Sequence, residues 1–213
     1  MDILARLDRS RAATNVLEHP FYERWSAGEL TAEDLAFYAG EYRHAVVALA
    51  LASSRAAEHA GPEHRPALER HAEEEASHVA LWDQFALAAG AGDAPALAQT
   101  RSCARSWVAG EDLLDHLAVL YVVEAGQPEI SRTKLQGLSA HYGYSEEGPA
   151  DEYFRVHQTL DVEHARQAGE LIRELLADSP EPQEREERML TFAGEALRGN
   201  WFLLDGVEGH TAP

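Results

Sequence analysis

A single cysteine, Cys103, stands in the 213 residues. It cannot close an internal disulfide, and it cannot build a paired-cysteine zinc site. Positive charge is also scarce. Eighteen Lys+Arg face 37 Asp+Glu, leaving a net charge of −19. Such a surface repels phosphate backbones and anionic membranes, so neither nucleic acid nor a membrane is expected as a partner. Long apolar runs are missing too. The longest, residues 45–52, is far short of the roughly 20 residues that span a bilayer. The opening MDILARLDRS has no apolar stretch of the signal-peptide kind. A cytoplasmic location is therefore expected. Val, Ile and Thr are sparse, no period-two strand pattern emerges, and no repeat is visible.

What remains is Ala, Leu and Glu, which favour helix. Hydrophobic residues at 45% and charged residues at 26% make an ordinary globular balance. One all-α domain over residues 1–213 is expected. A first helix is predicted over residues 1–17, broken at Glu18-His19-Pro20. A short helix follows, with Phe21, Tyr22 and Trp25 at helical spacing. Thr31-Ala32-Glu33-Asp34 opens the next helix, which runs towards Gly61-Pro62. Residues 66–89 form another, ending at Gly90. A loop over 93–99 leads to a helix at 101–108, then to a strongly apolar one at 113–127. Pro128 kinks or resets that helix. Helices at 130–138, 149–177 and 183–204 complete the chain, and the tail after Gly206 reads as frayed.

Residues 156–165, VHQTLDVEHA, carry His157, Asp161 and His164. At about 100° per residue, all three leave one helix face. Two imidazoles and a carboxylate so placed make a half-site for Fe, Mn or Zn. With 11 histidines in the chain, a polar face with incidental histidines is the competing account. Matching donors elsewhere favour the metal. Glu74 and His78 share a face that leads into Leu81, Trp82 and Phe85. Glu124 sits in the apolar helix, where an unpaired carboxylate costs several kcal/mol. Glu41 and His44 form a weaker pair beside a wholly apolar run. Glu74, His78, Glu124, His157, Asp161 and His164 suit two first-row ions bridged by a carboxylate, with positions left for O2. Zinc hydrolases more often use three or four protein ligands on one ion, so redox chemistry with Fe/Fe or Mn/Fe is preferred.

These residues carry a resemblance. The segments from His19 to Leu30, Glu73 to Trp82, Tyr121 to Lys134 and on to Gly143, and His157 to Arg166 are similar, in order, to the haem-oxygenase-like di-metal oxidases. Within these the chain resembles the CADD-like proteins. The resemblance implies an up-and-down bundle of about seven helices around a di-metal site, with ligands falling on the six residues just named. It also implies that para-aminobenzoate for folate is made from one of the protein's own tyrosines, matching Tyr22, with a lysine matching Lys134 as amino donor. O2 and an external reductant would be required. Two departures stand out. The Glu-to-His spacing is shorter than the family's usual six intervening residues, leaving Glu73, Glu74 and Glu75 as alternatives. Arg43 and Leu49-Ala50 replace an aromatic and a Phe-Pro pair. Two other functions stay open: oxidation of an external amine, amino acid or fatty acid, or a metal-free thiamin-salvage or binding protein of the TenA type. A homodimer is a further expectation.

Overall fold

The computed structural model describes residues 2–145 and 147–211. Met1, where the first helix was expected to start, and residues 212–213 of the tail lie outside them. Among the described residues there are nine α-helices and no strand. They are α1 (Ile3–Ala13), α2 (Pro20–Ala27), α3 (Ala32–His59), α4 (Arg65–Ala89), α5 (Ala98–Trp107), α6 (Leu113–Glu124), α7 (Gln127–Ala140), α8 (Glu152–Ala177) and α9 (Pro182–Thr211). The expected bundle of about seven gains two short members, and the class is all-α as read.

Local chemistry sets the boundaries. Thr31 and Asp34 form a full capping box at the head of α3. Pro20 and Pro128 each sit in the first turn of a helix, where a missing N–H costs nothing. Pro128 thus resets the chain, and α6 and α7 are separate helices with separate axes. Gly28 and Gly90 close α2 and α4 in the left-handed conformation, at φ 73° and 78°.

Two expectations are corrected. The first helix ends at Ala13, and a 3-10 turn at Val16–Glu18 follows, because Asn15 caps that turn by accepting from the Leu17 N–H. The tail after Gly206 is not frayed. It continues as α9 to Thr211, held by the Arg24–Glu208 ion pair and by His210 stacked on Phe37 at 3.9 Å.

Helices α3 and α4 pack as a hairpin, and α6 lies against α3, α8 and α9. All but the first position of α6 is buried, so it forms the central post. Helix α8 bridges α4, α6 and α7. Three helices that carry candidate ligands, α4, α6 and α8, are thereby brought together, with α2, α3 and α7 behind them.

Candidate metal centre

Helix α4 turns His71, Glu75 and His78 towards α8, which turns His157, Asp161 and His164 back towards it. Both triplets have one spacing, His-x3-acid-x2-His. The two run opposite ways. His71 faces His164, with ring centres 4.2 Å apart, and His78 faces His157 at 4.6 Å. Glu75 lies between the ends. Its oxygens are 3.1 Å from His78 Nδ1, 3.9 Å from His157 Nε2 and 3.6 Å from His164 Nδ1. Glu124 of α6 breaks this near-symmetry, lying 2.9 Å from His71 Nε2. Donor atoms within 4.8 Å of one another form two overlapping groups, His71–Glu75–Glu124–His164 and Glu75–His78–His157, with Glu75 in both.

Five of the six ligands expected from the sequence meet here. The sixth, Glu74, is at the rim: its side chain is 52% exposed, with Oε2 3.1 Å from His164 Nε2. The carboxylate that enters the interior is its neighbour Glu75, only 2% exposed. Glu73 is exposed. The structure adds His71, which sequence reasoning missed. The signal was present, since the spacing recognised on α8 recurs on α4. Counting six intervening residues back from His78 also lands on His71. Glu41 is not part of the site. It is buried and accepts from Leu97 N–H and the Thr100 hydroxyl, fixing the head of α5.

The donors are poorly satisfied by one another. Both oxygens of Glu124, both of Asp161, His157 Nε2, His164 Nδ1 and His71 Nε2 are buried without a hydrogen-bond partner. His71 Nε2 and Glu124 are close but not aligned as a hydrogen bond, as befits two donors aimed at a common third point. Buried polar atoms are nearly always paired, and a bound cation is a partner that would satisfy these orphans. Imidazole and carboxylate are the donor types first-row ions take. The residues therefore fit a metal centre.

Charge accumulates accordingly. Burial raises the Glu124 and Asp161 carboxyls above their ordinary range. Burial would raise Glu75 as well, but the His157 and His78 imidazoles beside it outweigh burial and hold that carboxyl well down. Burial opposes protonation of His164, yet Asp161, Glu124, Glu75 and Glu74 together push it up to about 9.

Beyond the cluster lies an aromatic chamber. Tyr153 stacks on His157 at 3.9 Å, and Trp82 stands edge-on to Tyr153 at 4.9 Å. Lys134 of α7 projects into the chamber. Its Nζ is 5.6 Å from the ring centre of Tyr22, 5.1 Å from Tyr38, 4.6 Å from Tyr42, 5.4 Å from Trp82 and 5.1 Å from Phe154. Among the described residues no carboxylate pairs with it. Burial pushes its pKa well below the usual lysine range, which favours the neutral amine. Burial raises the Tyr22 phenol well above its usual range, so it keeps its proton. His19 places Tyr22: its Nδ1 accepts from Phe21 N–H at the head of α2, and its Nε2 is 3.1 Å from Asp205. Cys103 is buried, and burial raises its thiol, the opposite of an activated nucleophile.

Comparison with known proteins agrees with this geometry. Residues 37–193 match the family described as iron-containing redox enzymes. A protein of Nitrosomonas europaea named 4-aminobenzoate synthase is 33% identical over 95% of this chain and 89% of its own. One of the same name from Chlamydia trachomatis is 34% identical over 84% of this chain and 82% of its own. In fold, the chain is similar to a TenA homolog from Pseudomonas syringae, with TM-score 0.83 at 14% identity, covering 97% and 93% of the two chains. It is also similar to a domain of unknown function with a haem-oxygenase-like fold from Shewanella denitrificans, with TM-score 0.81 at 17% identity, covering 99% and 93%. The paired ligand helices, the orphaned donors and these relatives lead to one conclusion: the chain belongs to the iron-containing redox enzymes of haem-oxygenase-like fold.

Proposed function

We propose that the chain makes 4-aminobenzoate from its own Tyr22, with Lys134 supplying the amino nitrogen. The observation that carries this reading is a buried lysine amine, with no carboxylate partner among the described residues, held 5.6 Å from the ring centre of a buried tyrosine. The relatives named 4-aminobenzoate synthase support it.

The product defines what must happen. A tyrosine side chain is a para-oxygenated ring bearing one carbon, Cβ. To become 4-aminobenzoate it must exchange its phenol oxygen, released as water, for the Lys134 nitrogen, whose bond to Cε breaks as Cε is oxidised to an aldehyde. Its Cα–Cβ bond must break, and Cβ must be oxidised to a carboxylate. These changes are net oxidations, for which O2 is the oxidant in this reading, with an external reductant supplying the electrons O2 takes beyond those the side chains give up. A pair of first-row ions supplies O2 activation when bound. His71, Glu124 and His164 would hold one, and His78 and His157 the other. Glu75 would be shared between them, with Asp161 beside it. Four imidazoles with three carboxylates favour iron in at least one position, since manganese prefers oxygen donors.

The chain's own residues do the rest. The rings of Tyr153 and Trp82 join the His157 end of the cluster to the chamber in successive contacts. The closed aromatic wall excludes water from the amine, which keeps its lone pair available. His19 fixes the position of Tyr22. A protein that consumes its own side chains reacts once.

The test uses protein purified with Fe and Mn supplied, then given O2 and a reductant. Product is expected together with loss of the Tyr22 side chain by peptide mass spectrometry. Tyr22→Phe and Lys134→Ala are expected to abolish product while leaving metal content intact. Product unchanged in both variants ends this reading. Turnover of an added amine or acid with an intact polypeptide would replace it with an external-substrate oxidase.

A further inference from the structure

A cleft of about 320 Å³ opens between α4, α6 and α8. Its floor is formed by His71 and His164, the two imidazoles at one end of the cluster. Leu68, Leu117 and Leu120 line its walls, and Glu63, Glu170 and Glu174 stand at its mouth, with Arg70 as the counter-charge. At the other end of the cluster His157, Tyr153 and Trp82 are each no more than 2% exposed, and His78 is 5% exposed with no cleft of this kind leading to it among the pockets that reach the cluster. We infer that this cleft is the route by which divalent cations reach the ligands, and that its glutamates draw them in. The inference rests on the metal reading of the site.

Two observations carry it. The first is the destination. His164 is 5% exposed and lines the cleft, yet its Nδ1 is unpartnered and lies 3.6 Å from both Glu75 and Asp161. An ion passing His164 therefore meets further unpartnered donors. The second is the field. A narrow acidic mouth with low-dielectric leucine walls focuses potential and raises the local concentration of cations. The pair between His64 and Glu174, 3.5 Å apart at the mouth, links the rim of α4 to α8 without closing the cleft.

The test follows Co²⁺ uptake by metal-free protein, using visible absorption in a stopped-flow instrument. In the double variant Glu63→Gln/Glu174→Gln, uptake is expected to slow about fivefold at low salt, with the difference fading at high salt. Gln167→Trp, which fills the mouth from an exposed position, is expected to slow uptake at every salt concentration. Final Co²⁺ stoichiometry and melting temperature should match wild type in each. Glu152→Gln, on the first turn of α8 and outside the cleft, should change nothing. Equal uptake rates in all variants overturn the inference. So does lost stoichiometry in a folded Glu63→Gln/Glu174→Gln protein, because those glutamates would then be holding the ion rather than guiding it. A wild-type protein that takes up no Co²⁺ overturns both this inference and the metal reading. Normal uptake without product would sink only the aminobenzoate reading.

Discussion

A step of one residue turns a helix by about 100°, and that step separates Glu74 from Glu75. Glu74 keeps water on one side, while Glu75 faces three histidines at the centre of the cluster. Glu75→Gln removes the one carboxylate common to both donor groups and is expected to lose at least one ion per chain. Glu74→Gln is expected to retain both ions. Metal analysis of the two purified variants decides the matter, and equal loss in both would reverse the assignment. Lys134 permits a different check. Burial lowers its affinity for protons in the folded state only. Below the ordinary lysine value of 10.5 the unfolded chain then binds a proton that the folded chain refuses. Stability therefore falls as pH drops from above 10.5, and levels off once the folded amine itself protonates. At neutral pH Lys134→Met is expected to stabilise the metal-free protein, while abolishing product. Urea titrations at pH 7 and 10 should show the gain shrinking at the higher pH. A variant less stable than wild type at pH 7 would mean that the amine is charged and paired.

The helices owe their limits to a few residues. Thr31→Ala removes the side-chain half of the capping box on α3 and is expected to cost about 1 kcal/mol. The midpoint of urea unfolding checks this, and no change would mean that the Asp34–Arg24 ion pair alone fixes the turn. Capping, Pro128 and Gly90 are local signals, so α3, α4 and the break between α6 and α7 were legible in the sequence. The end of α9 was not. Its last turns are polar, and what holds them is contact with Arg24 and Phe37, far away in the chain. Similarly, the bond from Trp25 Nε1 to the Lys134 carbonyl ties α2 to α7, and no periodicity in either helix announces it. That tie lets Tyr22 and Lys134 share a chamber.

The whole molecule encloses a cluster of carboxylates and imidazoles in which both oxygens of Glu124 and of Asp161, and a nitrogen of each of His71, His157 and His164, have no hydrogen-bond partner. Binding a cation to the folded state alone must stabilise it. At a free concentration 100 times the dissociation constant the gain is about 2.7 kcal/mol. Calorimetry with and without Fe²⁺ under argon is expected to show a higher melting temperature in the loaded protein. Loss of that increment in a His157→Ala variant would confirm that the increment arises at the cluster. No helix among the described residues is long and apolar enough to cross a membrane.

The sequence by itself determined the helical class, most of the helix limits and five of the side chains that the fold gathers in the cluster. Each of these is written in spacing along one helix, and a 3.6-residue turn converts spacing directly into a shared face. Only the tertiary structure decided which of three adjacent glutamates turns inward. It also recruited His71 opposite His164, and it closed the aromatic chamber around Lys134. Those outcomes depend on the angle at which α4 meets α8 and on which rings of α2, α3 and α7 fill the space behind them. Packing between distant segments sets both, and no single stretch of the chain records it.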